Sequence, residues 1–131
     1  LVRCGKDRII IDDCYNANPQ AMAEALRILA QTDHPRRMAV LGDMGELGEL
    51  TETAHRDMGA LTRRLQLDAV VAIGPKAKAI QDANPDALWF PTAAEALPAV
   101  RAAFTAGTAV LVKASHAMNF GQIVKELETT E

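Results

Sequence analysis

The chain has 131 residues, of which 49% are hydrophobic and 24% charged, and this composition fits one globular domain with a core of its own. Its 14 Lys and Arg residues against 17 Asp and Glu residues give a formal net charge of −3. An acidic balance without a basic run argues against nucleic acid or an anionic membrane surface as the main partner.

The first half of the chain predicts a hairpin followed by alternating helices and strands. Residues 1–4 and an apolar strand at 8–12 flank Gly5 and Lys6, which are expected to form a two-residue hairpin turn with a positive φ at Gly5. Apolar residues at helical spacing predict a helix over 19–30, with Asn18 as its N-cap. A strand at 38–42 and a longer helix at about 49–65 come next.

The second half continues the alternation. The pattern predicts strands at 69–73, 87–90 and 108–112. It also predicts helices at 77–81, after Thr92 as the N-cap, and around 120–127. Trp89 and Phe90 are expected to be core residues of their strand. The sequence therefore predicts a single α/β domain over 1–131, a three-layer sandwich around a mostly parallel sheet of about six strands with an antiparallel edge strand.

Four polar segments follow predicted strands. They are residues 12–19 (DDCYNANP), 42–48 (GDMGELG), 74–76 (GPK) and 113–116 (KASH). Ligands of open parallel sheets bind beyond the carboxyl ends of the strands, so these segments are the candidate binding loops.

The first polar segment allows two interpretations. Asn16 and Asn18 suit a base or a phosphate, but a turn with a helix cap explains Asn18 more simply. Asp12 and Asp13 suit ribose hydroxyls or a metal, and two adjacent acids at a strand end favour binding over solvation.

The last polar segment also allows two interpretations. Lys113, Ser115 and His116 together suit a carboxylate or phosphate ligand through charge-assisted hydrogen bonds. A solvated lysine beside a helix cap from Ser115 or Asn119 explains the same residues without a ligand.

Several familiar motifs are missing. The glycine loop is neither a dinucleotide fingerprint nor a P-loop, and no G-x-x-x-x-G-K-[ST] occurs, so any ATP phosphates must be held by another domain. His34 and His55 lack neighbours at metal-ligand spacing, and His55 is interpreted as a helix-surface or loop-supporting residue.

The polar loops, taken together, resemble the C-terminal domain of the Mur ligases. The resemblance rests on residues 12–19, on residues 40–48 with His55 downstream, and on residues 112–118. It covers nearly the whole chain in the right order. One departure is that Ala114 and His116 stand where the family often has Gly and Arg in Lys-Gly-Ser-Arg.

The resemblance implies a Rossmann-like third domain of an ATP-dependent, cytoplasmic ligase of peptidoglycan precursor synthesis, serving the cell wall, cell shape and cell division. Within the family the loops are most similar to members that join D-alanyl-D-alanine to UDP-N-acetylmuramoyl-tripeptide through an acyl phosphate. Absent N-terminal and central domains would bind the UDP end, the ATP phosphates and Mg²⁺. The isolated domain is expected to be inactive and to bind ATP weakly.

The resemblance also implies roles for single residues. Asp13 is expected to bind the ATP ribose, with Tyr15 and Asn16 beside it. The incoming dipeptide is expected to meet a second set of residues, namely Asp43, Met44, Lys113, Ser115 and His116. No catalytic residue and no metal ligand is expected in this domain.

Other classes remain as alternatives. A response-regulator receiver domain also has acids after its first strand and a lysine after its last, but here the strand 69–73 ends without the required phosphoacceptor Asp. A redox nucleotide-binding domain lacks its G-x-G-x-x-G, and an interaction domain gives no reason for the polar loops. The two cysteines, Cys4 and Cys14, are too few for a disulfide framework and fit a reduced cytoplasm. Because the sequence begins at Leu1, we expect a fragment of a longer protein.

Overall fold

A computed structural model describes residues 1–13 and 17–130 of the chain. The strands are Val2–Cys4 (β1), Arg8–Asp13 (β2), Arg36–Gly42 (β3), Ala69–Ile73 (β4), Leu88–Phe90 (β5) and Thr108–Lys113 (β6). The helices are Pro19–Ala30 (α1), Thr51–Arg64 (α2), Lys78–Ala83 (α3), Ala93–Ala103 (α4) and Gly121–Glu128 (α5). Short 3₁₀ turns cover Gly48–Leu50 and His116–Met118.

One six-stranded sheet forms from these residues in the order β1-β2-β6-β3-β4-β5. β1 pairs antiparallel with β2, and every other neighbouring pair is parallel. Helices α1, α2 and α3 pack on one face of the sheet, and α4 and α5 pack on the other. The predicted three-layer α/β sandwich with an antiparallel edge strand is confirmed.

The central strands are buried on both faces because successive side chains point to opposite sides of a sheet. In β6, Ala109 and Leu111 join the core under α1 and α2, whereas Val110 and Val112 join the core under α4 and α5. This explains why the strands are continuous apolar runs in the sequence rather than alternating ones.

The direction of the chain changes between the two central strands. After β3 the chain continues through α2, on one face of the sheet, to the neighbouring strand β4. After β6 it continues to α5, which packs on the opposite face of the sheet, beneath β2. Connections that leave two neighbouring strands in opposite directions open a crevice at their carboxyl ends, where open sheets bind ligands. The segments after β3 and β6 therefore border this crevice.

Two helix caps follow the sequence prediction. The Asn18 side chain accepts the backbone N–H of Ala21 at 2.8 Å, and the Thr92 hydroxyl accepts that of Glu95 at 3.2 Å. The capping interpretation of Asn18 is thus confirmed, and its side-chain oxygen is already engaged in holding the start of α1.

One local prediction was wrong, and a second was only partly confirmed. The β1–β2 connection has three residues, with Cys4 paired to Arg8, and the positive φ angles fall on Lys6 and Asp7 rather than on Gly5. A three-residue connection moves the left-handed conformation beyond its first residue. Trp89 and Phe90 pack against the two cores, as expected, but each is only partly buried because β5 is the edge strand and has one neighbour.

The amino-terminal edge of the sheet is closed by a buried arginine. The Arg8 guanidinium donates to the carbonyls of Gly5, Phe104 and Thr130 at 2.9, 3.1 and 2.6 Å, and it lies 4.7 Å from the Phe104 ring centre. Nearby, burial raises the pKa of the Cys4 thiol, Arg8 opposes this shift and Glu128 adds to it. Among the described residues, no helix is both long and apolar enough to cross a bilayer.

Candidate functional site

The polar segments predicted from the sequence lie at one edge of the sheet. β2, β3, β4 and β6 run parallel and end at Asp13, Gly42, Ile73 and Lys113. The segments that follow them therefore emerge side by side, with the ends of β3 and β6 at the crevice.

Asp13 and Lys113 form an ion pair at this edge. They are register partners in the β2–β6 ladder, and Lys113 Nζ donates to Asp13 Oδ2 at 2.6 Å. The Lys113 side chain is 2% exposed, whereas 43% of the Asp13 side chain is exposed. The carboxylate is thus accessible from solvent, whereas the ammonium is buried behind it.

Asp43, the first residue after β3, connects three loops from within. Its carboxylate Oδ1 accepts the backbone N–H of Ala77 at 2.8 Å, and its backbone carbonyl accepts the N–H of Ser115 at 3.1 Å. The residue is buried, at 7% exposure. Asp43 therefore joins the ends of β3, β4 and β6 instead of standing free in the cleft.

His55 of α2 supports the same loop. It is fully buried, and its Nε2 accepts the backbone N–H of Met44 at 2.9 Å while Nδ1 lies 2.6 Å from the carbonyl oxygen of Thr51. Since a carbonyl can only accept, Nδ1 carries the proton and Nε2 is the acceptor. The loop-supporting interpretation of His55 is confirmed, and the helix-surface one was wrong.

Two glycines allow these close approaches. A Cβ at Gly42 would lie 2.6 Å from the Ala114 Cβ and 2.6 Å from the Phe120 ring, and one at Gly74 would lie 2.5 Å from the Asp43 carboxylate. Gly74 also has a φ of 114°, in the region that favours glycine. A larger residue at either position would push the loops apart.

The remaining site predictions fall in different places. Met44 is completely buried in the core under α1 and α2, so its side chain does not line the cleft. Ser115 is partly exposed and accepts the N–H of Met118 at 2.9 Å. His116 begins the 3₁₀ turn, and its side chain lies outside what the structure describes. Tyr15 and Asn16 lie outside the described residues.

Sequence reasoning missed the inward role of Asp43 and did not identify the partners of His55. A polar residue after a strand looks the same in sequence whether it faces the cleft or the next loop. The sequence indicated that His55 could support a loop, but it did not show that the partner is the backbone N–H of Met44, eleven residues earlier. Within residues 1–13 and 17–130, no group of three His, Cys, Asp or Glu residues could hold a metal ion.

The sequence matches one protein family over most of its length. A family model described as Mur ligase, glutamate ligase domain, matches residues 1–116. The chain is 32% identical over 134 residues to the UDP-N-acetylmuramoyl-tripeptide–D-alanyl-D-alanine ligase of Bacillus subtilis, covering 97% of this chain and 29% of that protein. Its identity to the ligase of the same name from Synechocystis is 31% over 133 residues, covering 94% of this chain and 28% of that protein.

Solved structures are similar as well. A crystal structure of MurF from Acinetobacter baumannii superposes with a TM-score of 0.88 at 30% identity, over 97% of this chain and 29% of that chain. The MurF ligase of Thermotoga maritima, solved in complex with ADP, superposes with a TM-score of 0.83 at 27% identity, over 99% of this chain and 30% of that chain. This chain thus spans less than a third of the length of these relatives.

Proposed function

The chain belongs to the Mur ligase family, and on that premise we propose that it is the C-terminal domain of a longer ATP-dependent ligase. The proposed enzyme joins D-alanyl-D-alanine to UDP-N-acetylmuramoyl-tripeptide, as the names of the similar ligases state for those proteins. ATP phosphorylates the peptide carboxylate, and the dipeptide amine then attacks the acyl phosphate and displaces phosphate. The proposed enzyme is located in the cytoplasm, where ATP and a UDP-linked precursor are available.

The nucleotide is proposed to bind at the end of β2. Asp13 offers a half-exposed carboxylate next to the end of β6, which borders the crevice of the sheet. Such a carboxylate suits the hydroxyls of a ribose. Tyr15 and Asn16 are proposed to flank the nucleotide from the following segment. The ADP in the similar Thermotoga maritima ligase supports ATP as the nucleotide.

The dipeptide is proposed to meet the loop after β6. Ser115 is partly exposed there, and His116 follows it in the position where the family often has Arg. Asp43 and Met44 support this loop from inside the domain, since the Asp43 carbonyl accepts the backbone N–H of Ser115 and Met44 is buried. Their proposed contribution to dipeptide binding is to fix the loop.

The phosphates and Mg²⁺ are assigned to another domain. The chain has no P-loop, and its described residues hold no cluster of acids and histidines that fits a metal ion. The proposed task of this domain is to close over the phosphate-binding domain. Closure would shield the acyl phosphate from water and position the amine for attack.

The receiver-domain alternative is not supported, because the matching proteins are Mur ligases. β4 ends in Ile73 and is followed by Gly74 and Pro75, with no carboxylate where a receiver is phosphorylated. Incubation with acetyl phosphate and magnesium should therefore leave the mass of the chain unchanged.

The proposal is tested by comparing this chain with the longer enzyme that contains it. The longer enzyme should release ADP and phosphate only when ATP, UDP-N-acetylmuramoyl-tripeptide and D-alanyl-D-alanine are all present. The 131-residue chain alone should show no turnover. Turnover by the chain alone, or a longer enzyme indifferent to the dipeptide, would contradict the proposal.

A further inference from the structure

We infer that Lys113 is a positioning residue, which holds the Asp13 carboxylate for the nucleotide and does not itself contact the dipeptide. This inference rests on the proposed function, because it takes the assignment of Asp13 to the ribose from there. It changes the role expected for Lys113 from the sequence, where a lysine after the last strand suggests a cation facing the substrate.

The ammonium of Lys113 is shielded from solvent. The Lys113 side chain is 2% exposed, so its ammonium cannot meet a substrate that arrives from solvent without a rearrangement. A buried ammonium needs charged or polar partners, because burial without them is costly. Asp13 Oδ2, 2.6 Å from Nζ, supplies such a partner. Moving Lys113 toward a peptide would break this contact.

The sheet itself fixes the pair. Asp13 and Lys113 are the last register partners of the parallel β2–β6 ladder, and in both strands alternate residues lead to the same face. Ile9 and Leu111, at even spacing from the pair, both lie in the core under α1 and α2. The two side chains are therefore placed together by strand register, before any ligand arrives.

The Asp13 carboxylate can accept further hydrogen bonds from a ligand. A carboxylate has about four acceptor positions, and the ion pair with Lys113 engages Oδ2. The 43% exposure of the Asp13 side chain leaves it accessible to hydroxyl donors. Lys113 limits the rotation of the carboxylate and so fixes the direction in which ribose hydroxyls are received.

The test is Lys113→Met in the longer enzyme, with initial rates measured against ATP and against D-alanyl-D-alanine. Methionine keeps the apolar stem and removes the charge. The KM for ATP should rise by up to about tenfold, because the Asp13 carboxylate is no longer held by Lys113 and makes weaker hydrogen bonds to the ribose. The KM for the dipeptide should stay within about twofold. Lys125→Met, at an exposed position of α5, is the matched control and should change neither value.

A double-mutant cycle with Asp13→Asn tests whether Lys113 acts through Asp13. If it does, Lys113→Met should add little in the Asp13→Asn background, because the oriented carboxylate is already gone. Full additivity would mean that Lys113 contacts the nucleotide directly, and a raised dipeptide KM would mean that it contacts the peptide. Either result would overturn the inference.

A failure of the proposed function can be distinguished from a failure of the inference about Lys113. If Asp13→Asn leaves the KM for ATP unchanged, the ribose assignment is wrong and the inference falls with it. If Asp13→Asn raises that KM but Lys113→Met does not, only the inference is wrong. Circular dichroism and thermal melting check that each variant is folded. Should Lys113→Met reduce the folded yield, Lys113→Gln, which keeps hydrogen-bond donors without the charge, replaces it in the same cycle.

Discussion

The backbone N–H of Met44 donates a 2.9 Å hydrogen bond to His55 Nε2, across eleven residues and from a loop into the body of α2. The ring is completely buried, and its other nitrogen donates to the carbonyl of Thr51. The imidazole therefore bridges the start of α2 and the loop after β3 in one tautomer. The conformation of the glycine-rich loop is in this way tied to a helix.

Replacing His55 should loosen the loop after β3. His55→Ala leaves the Met44 N–H without its acceptor in a buried place, and the chain should lose about 1–3 kcal/mol of unfolding free energy. His55→Gln should lose less, because a glutamine oxygen can occupy the position of Nε2. Urea denaturation measures both changes. Asp57→Ala, at an exposed position of α2, is the control and should stay within about 0.5 kcal/mol of the parent. Equal losses for Ala and Gln would show that the hydrogen bond to Met44 contributes nothing.

Replacing Asp13 should weaken the use of ATP in the longer enzyme. Asp13→Ala removes the half-exposed carboxylate proposed for the ribose, and the KM for ATP should rise by about tenfold or more while the dipeptide KM rises less. Steady-state kinetics with each substrate varied in turn measure this difference. Asp12→Ala tests the exposed neighbour on the other face of β2, and a larger effect there would transfer the role to Asp12.

A methyl group at Gly42 should destabilise the domain. In Gly42→Ala the new Cβ would stand 2.6 Å from both the Ala114 Cβ and the Phe120 ring, and such overpacking costs about 1–3 kcal/mol. Gly45→Ala is the matched control in the same loop. A Cβ at this position would meet no atom of the described residues within 4 Å beyond its chain neighbours, so the unfolding free energy should stay within about 1 kcal/mol of the parent. Thermal or urea unfolding of the two variants distinguishes a packing effect from a general effect of removing glycine.

The stability of the chain should depend on Cys4 at alkaline pH. Burial raises the pKa of this thiol above its usual range, so the folded chain holds the proton more tightly than the unfolded chain does. The resulting stabilisation is complete below the unfolded pKa and is lost as the pH rises through the folded pKa. Urea unfolding between neutral and alkaline pH should show a steeper decline for the parent than for Cys4→Ala. Parallel curves for the two proteins would mean that Cys4 does not contribute.

The sequence predicted the order and type of the elements because apolar periodicity and cap residues are local signals. The helix over 19–30 agrees with α1 at both ends, since Asn18 and Pro19 mark its start. The first turn could not be predicted as well. Whether Gly5 or its two successors adopt a positive φ depends on the register of β1 against β2, and that register is set by pairing between strands.

The site was predictable in its place but not in its detail. Polar residues after parallel strands must gather at one edge, and Asp13, Ser115 and Lys113 do so. The sequence does not tell which polar groups turn inward, because that depends on contacts between loops far apart in the chain. Asp43 binds Ala77 across 34 residues, and Lys113 binds Asp13 across 100. Such partners become visible only when the strands are assembled.

The contacts of Asp43 restrict how the domain can change in length. Surface loops of proteins usually accept inserted residues at little cost. Here an insertion between Gly74 and Ala77 would carry the Ala77 N–H away from the Asp43 carboxylate, and one just after Lys113 would displace the N–H of Ser115 from the Asp43 carbonyl. The three segments must therefore keep their lengths and spacing together, although they are far apart in the chain.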